Sequence, residues 1–178
     1  MLIRILIVVL AVVAVFVVVA ATRPAAFSYV RSISIAAPPA QVFARVVDFA
    51  AWPAWSPWAK LDPAMKTAYA GEPGHVGASY TWSGNDKVGE GRMTLTDVQD
   101  SSRIAIRLEF LRPFASTNES VFTFAPDGAG TRVSWSMSGT NNFMAKAASI
   151  FMNMDKMIGG DFERGLAQLK QQAETAPK

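Results

Sequence analysis

The chain has 178 residues, is 51% hydrophobic, contains no cysteine and carries a formal net charge of +3. Once an apolar N-terminal segment is set aside, the remainder is long enough for one domain that buries a core without disulfides or a structural metal. The lack of cysteine excludes thiolate metal sites, thiol redox chemistry and cysteine nucleophiles, and the small, scattered excess of Arg and Lys does not indicate nucleic-acid binding.

The first predicted element is an apolar helix. Residues 5–21 are Ile, Leu, Val, Ala and Phe only, without a charge, Gly or Pro. As a helix this segment is about 26 Å long, close to the roughly 30 Å hydrocarbon core of a bilayer. We therefore predict a single-pass membrane anchor over residues 1–22, which contacts the lipid bilayer through residues 5–21, and a linker over residues 23–26.

The same segment admits a second interpretation, a cleaved signal peptide, because Val19, Ala20 and Ala21 loosely fit a small-residue cleavage site. The apolar run exceeds the ~7 to 15 residues usual for a signal-peptide core, which favours the uncleaved anchor. Basic residues flank both ends, so the charge bias is a weak guide to orientation, and we favour export of the domain. Secretion or periplasmic release after cleavage, and a location on the cytoplasmic face, are the alternatives.

After the linker the pattern changes to a strand and then to a short helix. Aromatic, Arg and Ile side chains occupy the odd positions from Phe27 to Ile35, and Ser or Val the positions between them. Pro38 and Pro39 end this strand, and proline is tolerated in the first turn of a helix because no N–H partner is lost there. We predict that helix over residues 41–49.

A meander of antiparallel strands follows, separated by turns rich in Gly, Asn, Asp and Pro. Apolar side chains occupy every second position at residues 103–110 and 131–140, so the sheet is predicted to be apolar inside and polar outside. The predicted strands cover residues 66–70, 78–83, 89–98, 103–110, 117–125 and 131–140.

The C-terminal stretch repeats apolar residues at three- and four-residue steps from Phe143 to Leu169, which predicts a long amphipathic helix. Gly159 and Gly160 should kink or interrupt it, and Asp161 could cap the part that follows. These elements predict an α+β helix-grip fold over residues 27–174, in which a curved antiparallel sheet wraps around the long C-terminal helix. A tail would follow at residues 175–178.

Local sequences at both ends of this domain resemble a known family. Residues 33–43, ISIAAPPAQVF, precede Asp48, Phe49 and the tryptophan-rich segment WPAWSPW at residues 52–58. Together with the closing residues 159–174, they resemble the SRPBCC superfamily, which includes START-like lipid carriers and polyketide cyclases/dehydrases.

Gly77, Trp82 and Gly91 also fall where members of that superfamily carry a tryptophan strand between glycine-bounded turns. The resemblance implies a deep cavity between the sheet and the C-terminal helix, used for lipids, sterols, quinones or polyketides. It implies a carrier or, in fewer members, an enzyme, and this chain shows no acid–base set that matches the catalytic members. Its catalytic residues are therefore left unassigned.

Several aromatic and apolar residues are candidates for lining such a cavity. Tryptophans after the first helix could stack on a flat ligand, and a Met-rich helix face would adapt to varied ligands. Core filling explains the same residues without any ligand, and this alternative stays open. The candidates are Trp55, Trp58, Tyr80, Trp82, Glu119, Phe122, Trp135, Met137, Met154 and Ile158.

Polar candidates are few. Asn118 and Glu119 open a strand, so one of them must face inward, and Tyr80 could donate a hydrogen bond to a ligand carbonyl. His75 is the only histidine and is predicted to be a solvent-facing loop residue, so no metal site is expected. Neither G-x-G-x-x-G nor G-x-x-x-x-G-K-[ST] is present, so no nucleotide cofactor is implied, and none of another kind is expected.

The function predicted from the sequence is binding or carrying of a hydrophobic small molecule by a membrane-anchored domain. An enzyme of the polyketide cyclase/dehydratase type is the alternative, and an interaction module with a filled core is the third. A carrier would bind a lipid, quinone or polyketide, whereas a module with a filled core would not. An enzyme would turn over a carbonyl-rich substrate.

Overall fold

The computed structural model describes residues 1–175, so residues 176–178 of the predicted tail lie outside the described residues. The chain begins with a helix, α1 (Leu2–Thr22), whose mean hydropathy of 3.4 and length are sufficient to cross a membrane. Ala20 is the one buried residue of this helix, and Phe16 is half-buried. Both lie in its last two turns.

A seven-stranded sheet forms the domain, and every pair of neighbouring strands is antiparallel. The strands lie in the order β1-β7-β6-β5-β4-β3-β2, so the first strand pairs with the last and the others form a meander. Their bounds are β1 (Ala26–Ile35), β2 (Lys66–Ala70), β3 (Ser79–Ser83), β4 (Glu90–Gln99), β5 (Arg103–Arg112), β6 (Ser116–Asp127) and β7 (Gly130–Thr140).

Helices cover one face of this sheet. Between β1 and β2 lie α2 (Pro39–Val47) and a 3₁₀ turn (Phe49–Ala54), and after β7 come α3 (Phe143–Ala148) and α4 (Met154–Glu174). The α+β fold in which a curved antiparallel sheet grips a long C-terminal helix is therefore confirmed, as is the apolar N-terminal helix. Helix α2 begins two residues earlier than predicted because its first turn accepts Pro39, which has no N–H to donate.

The predicted interruption at Gly159 and Gly160 is wrong. Helix α4 runs through both glycines, and the break lies upstream at residues 149–153, where Asn153 caps α4 by accepting a hydrogen bond from the Lys156 N–H at 2.9 Å. Asp161 therefore lies inside the helix and does not cap it. A Cβ at position 159 would overlap the Arg31 guanidinium, so this glycine permits a side chain to cross the helix.

The core lies between the inner face of the sheet and the helices α2 and α4. Alternate residues of β5 and β7, including Ile104, Ile106 and Val133, are fully buried there. Helix α4 contributes Phe162, Leu166 and Leu169 at three- and four-residue steps, the spacing that keeps side chains on one face. The sequence periodicity therefore identified both halves of the core.

Candidate functional site

Aromatic rings fill the centre of the space between sheet and helix. The rings of Phe122 and Trp135 stack with their centroids 4.7 Å apart, and Trp135 stacks on Phe162 of α4 at 4.1 Å with an interplanar angle of 9°. Trp52 and Trp55, from the 3₁₀ turn and the residue after it, lie 4.6 Å from each other and edge-on to Phe122. The interior is thus occupied by side chains of the protein.

The polar ends of these rings are also satisfied within the protein. The Trp135 indole N–H donates to Ser120 Oγ at 2.9 Å, and the Trp55 indole N–H donates to the Arg45 carbonyl at 3.0 Å. A buried indole that already has a hydrogen-bond partner has no donor left for a ligand. These two tryptophans are therefore anchored in the core by their own hydrogen bonds, and the faces of their rings are the part that a ligand could contact.

Glycine brings the helix close enough to complete this packing. A Cβ added at Gly165 of α4 would lie 2.8 Å from the Trp135 ring and 3.1 Å from Pro57. The absence of a side chain at position 165 lets the helix approach the sheet closely enough for Phe162 to stack on Trp135. This close approach is the physical reason for the filled centre.

The structure separates the ten predicted cavity residues into four groups. Trp55, Trp82, Phe122, Trp135 and Met137 are buried in the core. Trp58, Tyr80 and Ile158 are partly buried and pack against it. Met154 lies at the start of α4, and Glu119 is exposed on the outer face of the sheet. Ligand contact by the inward members remains a prediction.

Asn118, and not Glu119, takes the inward position at the start of β6. Asn118 and Ser120 are buried, and both share the strand parity of Phe122 and Phe124. This parity was legible in the sequence, because the two phenylalanines fix which face is apolar. Glu119 therefore has no access to the interior, for which it was a candidate.

An open, shallow depression of about 530 Å³ lies at one end of the sheet–helix interface, and we call it the α1-side hollow. Its walls are Phe27 and Tyr29 of β1, Asn141 after β7, the connection at residues 149–153, and Met154. Arg23 and Pro24, directly after α1, complete its rim. Met154 is the predicted cavity residue that lines it, and the sequence reasoning missed the others.

The loss of helical period could have revealed these residues. Residues 150–152 are apolar, and they lie between two polar residues, Ser149 and Asn153. Both residue types favour helix ends over helix interiors. A helix break at residues 149–153 that contains the apolar residues 150–152 predicts a connection lined by apolar groups.

Arg31 of β1 binds two acidic residues of α4, and one of them, Asp155, lines the α1-side hollow. The Arg31 guanidinium, on β1, donates to Asp155 Oδ2 at 3.0 Å and to Glu163 Oε1 at 2.7 Å, passing over Gly159. The hydrogen bond from Arg31 lowers the pKa of Asp155 below its ordinary value. Burial, and then the negative charge of Asp155, raise the pKa of Tyr29, so this phenol stays neutral.

A second hollow of about 320 Å³ lies against strands β2, β3 and β4, and Trp82 and Gly91 contribute to its lining. The Trp82 indole N–H donates to the Val88 carbonyl at 2.9 Å, so its polar atom is occupied. Gly91 leaves room for the Trp82 ring, which a Cβ there would touch at 2.5 Å. This explains the tryptophan and glycine pairing by packing.

His75 is exposed in the loop before β3, where its Nδ1 lies 3.1 Å from the Pro73 carbonyl. Among residues 1–175, no group of three or more His, Asp or Glu side chains is arranged to hold a metal ion. The lining of the α1-side hollow offers apolar contact with Phe27 and Met154, and polar groups that include Tyr29, Asn141 and the charged Arg23 and Asp155.

Comparisons with known proteins agree with this geometry. Residues 26–174 match the family model described as polyketide cyclase/dehydrase and lipid transport. A search of curated proteins found no match.

Solved structures with the same fold include a Thermobifida fusca protein, 23% identical, which covers 82% of this chain and 92% of its own with a TM-score of 0.62. A Mesorhizobium loti protein is 16% identical, covers 85% of this chain and all of its own, and has a TM-score of 0.62. DynU16, a protein in the dynemicin biosynthetic locus, is 16% identical over 83% of this chain and 47% of its own, with a TM-score of 0.57. At these identities the likeness shows the fold.

Proposed function

Because the chain belongs to the polyketide cyclase/dehydrase and lipid transport family, we propose that it is a membrane-tethered protein that binds one hydrophobic or amphipathic small molecule. The α1-side hollow is the observation that carries this proposal. It lies at one end of the interface between sheet and C-terminal helix, whereas the family resemblance implies a deep cavity within that interface, and it adjoins the helix that is apolar enough to span a bilayer.

The proposal assigns the ligand to this end of the interface because the centre is packed. Burial of apolar ligand surface against Phe27, Phe151, Met152 and Met154 would contribute roughly 25 cal/mol per Å². Asn141 offers an amide that can fix one polar end of the ligand. A lipid, a quinone or a polyketide-like molecule has this combination of properties.

Binding is favoured over turnover by the state of the charged groups. Asp155 is the carboxylate that lines the hollow, and it is already engaged by Arg31. The neutral Tyr29 phenol can donate a hydrogen bond but is a poor base. We therefore propose a carrier or binding protein.

Native mass spectrometry of the full chain in lipid nanodiscs tests this function. We expect a small molecule to co-purify, or to bind from a panel of lipids, quinones and polyketides. A Ser149→Trp substitution, which places an indole in the α1-side hollow, should lower its occupancy. Ser28→Trp, on the outer face of β1, is the matched control and should leave occupancy unchanged.

Two results would contradict the proposal. One is a chain that neither retains nor binds any member of the panel. The other is equal occupancy in the Ser149→Trp and Ser28→Trp variants, which would move the ligand away from the hollow. Turnover of a carbonyl-rich substrate by the full chain would replace the carrier with the enzyme alternative.

A further inference from the structure

Apolar side chains are concentrated on the outside of α3 and of the connection that follows it. Phe151 is 78% exposed and Met144 63%, and Phe143 and Met152 are also exposed, all within residues 143–152. Single exposed apolar residues are ordinary on a soluble surface, but a contiguous group of this size marks a contact with another apolar phase.

These residues lie directly beside the last turns of α1. The rings of Phe16 and Phe151 stack with their centroids 6.0 Å apart, and Ala20 is fully buried against the domain. Lys146 of α3 reaches the Ala21 carbonyl at 3.5 Å. The segment therefore runs along α1: Lys146 lies beside the C-terminal end of α1, and Phe151 lies beside Phe16, nearer its middle.

The stacking fixes the depth of Phe151 relative to the proposed bilayer span. Phe16 precedes the end of α1 at Thr22 by six residues, about 9 Å at ~1.5 Å per residue. The 21-residue helix is about 31 Å long, which matches the roughly 30 Å hydrocarbon core. Phe151 then lies at acyl-chain depth, and Lys146 lies at the boundary, where an ammonium group reaches the headgroups.

We propose that residues 143–152 insert into the leaflet that receives the C-terminal end of α1, so that the domain contacts the bilayer a second time. The inference rests on the proposed function, because it takes α1 to be the membrane tether. The occupant of the exposed apolar face is lipid, since this face adjoins the exposed apolar surface of α1 at the Phe16–Phe151 contact. Arg23 and Lys146 lie at the same boundary and complement anionic headgroups.

Insertion has a consequence for ligand entry. Phe151 and Met152 belong both to the exposed apolar face and to the wall of the α1-side hollow. Insertion of these two side chains would bring part of the lining of the hollow to the membrane. An apolar ligand would then have a short path from the bilayer to the hollow.

The lack of cysteine makes the test direct, because single-cysteine variants of the full chain can carry one environment-sensitive fluorophore. The variants are Phe151→Cys in the proposed inserting segment, Val12→Cys in α1, and Ala129→Cys in the turn between β6 and β7. Each is reconstituted into phosphatidylcholine and phosphatidylglycerol vesicles that contain lipid with a nitroxide on the acyl chain or on the headgroup.

We expect the fluorophore at position 151 to emit at shorter wavelength and to lose most of its intensity with the acyl-chain nitroxide, as at position 12. At position 129 neither nitroxide should quench. Quenching at position 12 without quenching at 151 would overturn the insertion and leave the tether intact, whereas loss of quenching at both positions would remove the tether itself. A wavelength shift at 151 without quenching would assign the segment to a protein contact and also overturn the proposal.

A second pair of variants tests the same segment without a label at its centre. With the fluorophore at Met144→Cys, an added Phe151→Glu should greatly weaken the quenching by the headgroup nitroxide, because a carboxylate resists transfer into hydrocarbon and lifts the segment away from the bilayer. Val76→Glu, which changes an apolar residue 62% exposed in the loop before β3, is the matched control and should leave the quenching unchanged. Equal quenching in both variants would contradict insertion.

Discussion

At the scale of single residues, glycines of α4 decide how closely the helix lies on the sheet. A Cβ at Gly165 would meet the rigid Trp135 ring. A Cβ at Gly160 would meet the flexible end of Arg164, at 3.7 Å. The two positions have the same helical backbone but different surroundings. They therefore separate the effect of packing from the effect of helix propensity.

Gly165→Ala should lower the free energy of unfolding by about 1 to 3 kcal/mol, because the added methyl group overpacks the Trp135 contact. Gly160→Ala should raise it by up to about 1 kcal/mol, because alanine favours the helix and the new Cβ meets no close atom. Urea denaturation of the two full-chain variants measures the difference. Equal effects would mean that α4 does not touch Trp135 at this point.

Tyr80 is a second residue whose surroundings change its chemistry. It is half-buried between Tyr69 and Trp82. Burial first, and then the neighbouring Tyr69 phenol, raise the pKa of Tyr80 from 10.0 to about 12. The fold therefore favours the neutral phenol, which was a candidate hydrogen-bond donor in the sequence.

The raised pKa of Tyr80 predicts a dependence of stability on alkaline pH. Because the folded-state value lies above the unfolded one, its contribution is fully present below pH 10 and is lost as the pH rises towards 12. In Tyr80→Phe the free energy of unfolding should fall less steeply over this range. Chemical denaturation at a series of pH values checks it, and identical slopes in the two proteins would argue against the buried phenol.

At the scale of elements, one arginine ties the start of α4 to β1. Arg31 binds Asp155 and Glu163, which lie in the first turns of α4. The hydrogen bond from Arg31 lowers the pKa of Asp155 below 3.8, so its contribution is present above about pH 4 and is lost as the pH falls through the lowered value. The ion pair with Arg31 therefore fixes Asp155, which lines the α1-side hollow.

Arg31→Met should loosen the first turns of α4 while the rest of the helix stays protected. Amide hydrogen exchange across residues 154–163 should become faster, because local opening no longer breaks the ion pairs. Arg132→Met, which removes an ion pair with Asp127 at 3.4 Å at the other end of the sheet, is the control. Unchanged exchange in Arg31→Met would show that apolar packing alone holds this part of α4.

At the scale of the whole molecule, the N-terminal helix is the feature that separates a tethered protein from a released one. Phe16 is half-buried and Ala20 is buried, and the other residues of Leu2–Thr22 are exposed. An apolar helix of this length is stable in water only if it is buried, and the domain buries little of it. This exposure supports the proposed membrane tether over a helix packed on the domain.

We therefore expect the expressed chain to remain in the membrane fraction after an alkaline carbonate wash, with residues 1–21 retained. Intact mass spectrometry of that fraction reads the N-terminus directly. A soluble product that begins just after Ala21 would instead establish the signal-peptide alternative. A reporter fused to the C-terminus gives the side of the membrane, for which we expect the exported side.

The sequence by itself determined the order of the elements and the faces of the strands, because alternation and helical period depend only on neighbouring residues. It placed the strand centres, the apolar face of α4 and the inward direction of Trp135 and Met137. Even the choice of Asn118 over Glu119 follows from the parity of Phe122 and Phe124.

Only the tertiary structure decided whether the centre of the molecule is open or filled, since that depends on the distance between elements far apart in the chain. Gly165 reads as a weak helix residue in the sequence, but in the fold it is the contact that seats α4 on Trp135. The sequence likewise predicts a kink at Gly159, but in the fold the Arg31 side chain lies across this glycine. The α1-side hollow lies where residues 149–153 leave the helical path, which is also a property of the tertiary structure.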